Sequence, residues 1–203
     1  MAFKKLKLLY LAAFLALTPL LAAPALEVRK ITPPKLDSLH LGTRITCHRP
    51  MRHGAPNMSV TKQGEQIIAH NYGHGGSGWT LGPGSAQHVN DLLLTSEYAH
   101  EVTKETPIAI IGAGALGLFS AYDLHQRGFR NITIVADKFE GLTSHNAGGL
   151  LAPVSMDNQP EIQGNIDKIG IDAYKFYESI AQKKHPHFKE GAVVVPTYTI
   201  SIN

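Results

Sequence analysis

Two stretches of the chain carry a sharp pattern of apolar and polar positions. Residues 107–111 (Pro-Ile-Ala-Ile-Ile) form a short continuous apolar run of the kind buried in parallel sheets. A glycine turn follows, and the pattern then predicts a helix over residues 115–127, stopped by Gly128. Residues 132–136 read as a second strand. Residues 166–182 place Ile166, Ile169, Ala173, Phe176, Tyr177 and Ile180 at helical spacing, and residues 192–195 read as a final strand. Strand, helix, strand, helix, strand predicts an α/β fold in which a parallel sheet carries helices.

The N-terminal half is less regular. Residues 44–71 suggest short strands, Gln66-Ile67-Ile68-Ala69 being the best of them. Residues 73–84 are dense in glycine and read as a loop. Ser85 is then the expected N-cap of a helix running to Leu94. Residues 95–106 are polar and charged and read as a connector. Residues 26–45 contain prolines without a clear period and read as a linker.

With 203 residues, 43% hydrophobic and 17% charged, the chain has the material for one globular core with a small appendage. The net charge of +3 invites a nucleic-acid partner, but its position argues against one. Lys4, Lys5 and Lys7 lie in the first 25 residues, which hold no Asp or Glu; the remainder carries sixteen basic and sixteen acidic residues. No basic field is left to seek a phosphate backbone.

The same 25 residues have the three parts of a secretory signal. A lysine-rich start precedes an apolar run over residues 8–21, and Ala23-Pro24-Ala25 supplies a small-residue cleavage site. The expectation is export, periplasmic or secreted, with no stable membrane association after cleavage. The alternative is an uncleaved membrane anchor, since the run approaches spanning length. Cys47 is the sole cysteine, which excludes a disulfide within the chain, and is expected to be a small buried residue.

Gly112-Ala113-Gly114-Ala115-Leu116-Gly117 fits the dinucleotide fingerprint, with a strand before it, a helix after it, and Asp137 ending the next strand. Each residue has a physical task. Gly112 makes the tight turn, Gly114 admits backbone to a pyrophosphate, and Gly117 lets helix and strand pack closely. The helix start at Ala115 and Leu116 offers N–H groups and a positive dipole end, and Asp137 would accept from ribose hydroxyls. The fingerprint alone does not separate FAD from NAD.

The residues beyond it do. Ala136-Asp137-Lys138-Phe139, Leu142-Thr143-Ser144, Gly148-Gly149-Leu150 and Pro153 resemble the corresponding stretch of the D-amino-acid oxidase and D-aspartate oxidase family. A second block, His70-Asn71-Tyr72-Gly73-His74-Gly75-Gly76-Ser77-Gly78-Trp79-Thr80, resembles that family's H-N-Y-G-H-G-G-x-G signature, and Arg49-Pro50-Met51-Arg52 its R-P-x-R. The resemblance implies a Rossmann-type FAD-binding domain. Ala136, Asp137 and Lys138 would then lie at the adenosine end, and Thr143, Ser144, Gly149 and Leu150 at the phosphates and flavin. Gly75, Gly76, Gly78, Trp79 and Thr80 would lie at the flavin ring, and Arg49 would take the substrate carboxylate. Lys138 stands where the family usually has Arg, keeping the charge without the planar fork.

Segment order departs from the family, in which the Arg and H-N-Y-G-H-G-G block follows the substrate domain. Here it precedes the glycine turn, the order expected of a circular permutation with residues 95–106 as the new connector. The expected organisation is therefore a signal peptide (1–25), a linker (26–45), a flavin-ring segment (46–94), the connector (95–106) and a βαβ FAD-binding segment (107–203). Nothing after Val195 resembles the family's substrate-domain sheet, so that domain is expected to be largely missing, with little substrate enclosure and little turnover. The implied reaction is oxidative deamination of a D-amino acid with O2 as acceptor. The alternatives are a non-catalytic FAD-binding remnant and an exported flavin- or nucleotide-binding module. No metal site is expected: His70 and His74 read as hydrogen-bonded structural histidines, and His185-Pro186-His187 as a solvated loop.

Overall fold

The computed structural model describes residues 32, 35, 37–151 and 160–196. The chain divides into two compact units, residues 1–44 and 45–203. The expected signal segment lies outside the described residues. Among the described residues no helix is long and apolar enough to cross a membrane. In the first unit, the Asp37 carboxylate accepts from the Leu39 backbone N–H at 3.0 Å and pairs with His40 Nδ1 at 2.6 Å, pinning a single helical turn at Ser38–His40.

The second unit opens with a hairpin. Strands β1 (Asn57–Gln63) and β2 (Gln66–Tyr72) pair antiparallel from Asn57↔Tyr72 to Gln63↔Gln66. Gly64 takes φ +59° at the first position of the two-residue turn, a conformation glycine adopts freely. The hairpin is longer than the run 66–69 suggested, because cross-strand pairing recruits flanking polar residues with weak strand signals of their own.

Helix α1 (Gly78–Thr95) is the centre of the unit and corrects the sequence reading. It starts seven residues before Ser85. That serine is no cap: it is fully buried within the helix, its hydroxyl donating to the Gly82 carbonyl at 3.2 Å. The glycines that read as a loop serve instead to let other elements close in. A Cβ on Gly82 would meet the Phe119 ring at 2.5 Å, and one on Gly84 would meet the Ile169 carbonyl oxygen at 2.1 Å. Backbone approach of this closeness is open only to glycine.

Strand β3 (Ile108–Ile111), helix α2 (Ala115–Gln126) and strand β4 (Ile132–Val135) form the βαβ unit, with β3 and β4 parallel and Ile108 opposite Ile132. Gly128, at φ +96°, ends α2 with the paired bonds Gly128 N–H to His125 O and Phe129 N–H to Leu124 O. Leu124 and Phe129 are both buried, supplying the apolar contact such an ending favours. Arg127 ties α2 to α1, reaching Asp123 at 2.6 Å and Asp91 at 2.7 Å; Asn90 of α1 also donates to Asp123 at 2.8 Å.

Helix α3 (Pro160–Ala181) buries Ile166, Ile169, Ala173 and Ile180, as its spacing indicated, and starts earlier than residue 166. It ends with Lys183 in the left-handed region (φ 58°), while Lys183 and Lys184 donate to the Ile180 and Ser179 carbonyls.

The architecture is mixed α/β, a small parallel sheet with helices, as expected of part of a Rossmann-like FAD-binding domain. Three local expectations are corrected. Residues 192–195 are not a strand: Val193, Val194 and Val195 are exposed, and β-branched residues make a strand only where a partner edge pairs with them. Cys47 is exposed, in a stretch (41–50) without regular structure to cover it. His185 is buried, packed against Phe176 at 4.8 Å and Phe188 at 5.1 Å between ring centroids, so residues 185–187 are not simply a solvated loop.

Candidate functional site

The glycine turn has the geometry that its residue types require. Gly112 takes φ +106°, and its N–H donates to the Val135 carbonyl at 2.8 Å, locking the turn to the end of β4. A Cβ on Gly117 would lie 2.0 Å from the Gly112 carbonyl oxygen, so helix and turn pack closer than any side chain allows. Gly114 has an ordinary extended backbone, φ −75° and ψ 179°. A Cβ there would find only the Ser144 hydroxyl, at 3.3 Å. The space over the start of α2 at Gly114 is thus lined by the Ser144 hydroxyl. Ala115 is buried and Leu116 half-buried in the first turn of that helix.

Residues far apart in sequence converge on this turn. A Cβ on Gly78 would lie 3.8 Å from Leu116 Cγ. The Trp79 indole Nε1–H donates to the Ser144 carbonyl at 2.8 Å, and the Ala115 N–H donates to the Ser144 hydroxyl at 2.9 Å. The Trp79 ring also meets Phe119 edge-on, 5.7 Å between centroids. The start of α1, the start of α2 and the helical turn Thr143–Asn146 thus meet at one place.

The segment bearing Arg49 lies along the glycine loop. Met51 forms a bridge with His74, and the Gly75 N–H donates to the Pro50 carbonyl at 3.1 Å. The Met51 N–H returns to the Arg49 carbonyl at 2.8 Å, closing a three-residue turn on Pro50. The Arg49 guanidinium rests over Gly76, where a Cβ would come within 2.5 Å of it. Arg52 has a different task, donating to the Ala55 carbonyl at 2.9 Å and lying against Gly73.

Gly73, Gly75 and Gly76 all have positive φ, so this loop turns its backbone as other residues rarely can. His74 within it is buried, and neither ring nitrogen has a hydrogen-bond partner among the described residues; the Asn71 side-chain oxygen is likewise without one. Burial lowers the His74 pKa to about 4, so the ring is neutral. The expectation of two hydrogen-bonded histidines therefore holds for His70, 3.0 Å from the Thr61 hydroxyl, and not for His74. Thr80 sits half-buried in the first turn of α1.

At the other end, Ala136 is half-buried, and Asp137 and Lys138 are exposed just past β4. Thr143 is exposed on the turn that carries Ser144. Gly149, at φ +75°, and Leu150 lie in the exposed irregular stretch 147–151, with nothing within 4 Å of a Cβ on Gly149. Tyr177, which the sequence placed on a helical stripe, and Phe119, which it did not single out, complete the convergence. The Tyr177 hydroxyl donates to the Trp79 carbonyl at 2.5 Å, and Phe119 packs on Trp79 and Phe176. Pro83 was the available signal for the first. It has no N–H to offer residue 79, so that carbonyl needed a donor from elsewhere.

Comparison with known proteins bears on the glycine turn and the residues after it. Residues 107–199 match the DAO family, described as FAD dependent oxidoreductase. FAD is the cofactor of that family. The chain is 35% identical over 106 residues to the tRNA 5-methylaminomethyl-2-thiouridine biosynthesis bifunctional protein MnmC of Psychrobacter sp. (strain PRwf-1). That stretch is 51% of this chain and 13% of the relative. No solved structure matches. The family match starts at residue 107, so the His70–Thr80 block lies outside it.

The residues present suit a bound FAD. The first turn of α2 carries the Ser144 hydroxyl at Gly114, the glycine loop has Gly76 exposed, and His74 adds polar atoms unpartnered among the described residues. A pyrophosphate would be held by the α2 N-terminus and the Ser144 hydroxyl.

Proposed function

We propose that this chain binds FAD and belongs to an oxidoreductase that removes hydrogen from the Cα of an amino acid, with D-amino acids as the substrate class. The observation that carries the proposal is the meeting of the glycine loop 73–78 with the dinucleotide turn 112–117, joined through Trp79, Ser144 and Ala115. A dinucleotide turn alone would suit NAD as well. A second, glycine-lined backbone loop beside it suits a flat ring system at the far end of FAD.

FAD, when bound, supplies the hydride acceptor. The protein's share is orientation. Asp137, exposed just past β4, would accept from a ribose hydroxyl, and the first turn of α2 would offer N–H groups to phosphates. Arg49, resting over Gly76 at the ring end, is placed to grip a carboxylate through two parallel hydrogen bonds. Such a grip fixes the direction of Cα–H as well as binding the substrate. Arg52 is the weaker candidate because its guanidinium already serves the Ala55 carbonyl. The MnmC relative is named for tRNA modification; the D-amino-acid assignment for this chain rests on the His70–Thr80 and Arg49–Arg52 signatures.

The test is anaerobic mixing of the FAD-loaded protein with D- and L-amino acids, following loss of the oxidised flavin absorbance. Slow bleaching by D-amino acids alone is expected, reduced further in Arg49→Lys and unchanged in Arg52→Lys. Bound FAD that no amino acid reduces would overturn the oxidase assignment and leave an FAD-binding module.

A further inference from the structure

We infer that Trp79 is a positioning residue for the dinucleotide, acting through Ser144; the inference rests on the FAD reading above and concerns how the two ends of the site are held together. Trp79 belongs to the first turn of α1, beside the glycine loop, while Ser144 belongs to the turn that follows Asp137. Ser144 is held from two sides. Its carbonyl accepts the indole N–H at 2.8 Å, and its hydroxyl accepts the Ala115 N–H at 2.9 Å. The hydroxyl therefore sits on the first turn of α2, its own O–H without an acceptor among the described residues, 3.3 Å from where a Cβ on Gly114 would be. A phosphate approaching the helix start at Gly114 would meet this hydroxyl.

Only one of these two holds comes from the neighbouring backbone. The other depends on a side chain that fills space and donates at its tip. Phe at residue 79 would keep most of the packing against Phe119 but could not donate. The turn Thr143–Asn146 is otherwise tethered mainly to itself, through Asn146 Nδ2 to the Leu142 carbonyl at 3.1 Å and the His145 N–H to the same carbonyl at 3.0 Å. Without the indole N–H, the Ser144 hydroxyl would be held at α2 by one bond. A phosphate would then meet a donor that has to be ordered at the moment of binding. Trp79 itself is held on α1 by the Tyr177 hydroxyl at its carbonyl, so a connected set of bonds runs from α3 to the phosphate end.

The experiment compares FAD affinity in the full chain with Trp79→Phe, Ser144→Ala and the double variant. Flavin fluorescence gives Kd, and the melting temperature of the FAD-free proteins serves as the structural control. The loss of one fixed hydrogen bond predicts a Kd higher by up to about tenfold for Trp79→Phe and for Ser144→Ala. The double variant should bind no more weakly than Ser144→Ala alone, because the indole acts through that hydroxyl. The FAD-free Trp79→Phe protein should melt close to the parent. Unchanged affinity in Trp79→Phe, multiplying effects in the double variant, or a fall in melting temperature that accounts for the lost affinity would each overturn the inference alone. A parent chain that takes up no FAD would overturn the cofactor reading and this inference with it.

Discussion

The Tyr177 hydroxyl donates to the carbonyl of Trp79, and Trp79 is the residue whose helical donor Pro83 removes. In a regular helix the N–H of residue 83 would bond that carbonyl. Proline leaves it without its helical donor, and a side chain from α3 supplies the bond across the interface. Burial raises the Tyr177 pKa, so the hydroxyl stays protonated and able to donate throughout the neutral range.

Tyr177→Phe should therefore destabilise the protein by about 0.5–1.5 kcal/mol, the net contribution of one hydrogen bond. Chemical denaturation measures it. Adding Pro83→Ala to Tyr177→Phe restores an N–H at residue 83 and should recover part of the loss. A double variant no more stable than Tyr177→Phe would show that the carbonyl was never in need of a donor.

Gly117 and Gly114 should fail in different ways. Gly117→Ala places a Cβ 2.0 Å from the Gly112 carbonyl oxygen, so the turn or the helix must move, and the melting temperature should fall. Gly114→Val presses on the Ser144 hydroxyl, 3.3 Å from the new Cβ, but on no backbone, and needs no unusual φ. It should fold nearly normally and lose flavin, because the valine occupies the space meant for pyrophosphate. Melting curves and flavin absorbance, taken on the same preparations, separate the two. Normal flavin content in Gly114→Val would mean that no phosphate lies there.

His74 gives the fold an acid limit. Burial lowers its pKa to about 4, so the native protein holds it neutral while the unfolded chain takes up a proton below about 6.5. The stability tied to the neutral ring is fully present above pH 6.5 and is lost as pH falls towards 4. The size of that loss is about 3 kcal/mol. His74→Leu cannot titrate and should flatten the stability profile between those pH values. Other histidines contribute to the slope, His88 and His185 among them, both lowered chiefly by burial; the comparison between parent and variant isolates His74. Parallel profiles would contradict the assignment.

What the sequence made legible was local and periodic. The strand before Gly112, the stop at Gly128 and the buried stripe of α3 follow from short-range chemistry that a reader can see in order. The start of α1 was not visible, because Gly78, Gly82, Pro83 and Gly84 all argue against helix when judged singly. They are tolerated because Phe119, Tyr177 and the Ile169 carbonyl press against them, and those neighbours come from far along the chain. Val193 to Val195 fail in the opposite sense, with strong strand propensity and no described strand to pair with. His185 was misjudged because a histidine between polar residues gives no sign of the Phe176 and Phe188 rings that bury it. The candidate site was readable as two signatures, but their joining through Trp79 and Ser144 was not, since it depends on tertiary packing.

Equilibrium titration of the flavin-free chain with FAD and with NAD, followed by calorimetry, tests the central claim most directly. The expected result is one FAD bound per chain, with NAD neither binding comparably nor displacing it, since the three-ring isoalloxazine of FAD offers the loop around Gly75 and Gly76 a far larger flat face than the single nicotinamide ring. No uptake of FAD, or equal affinity for NAD, would contradict the reading of these two loops as one FAD site.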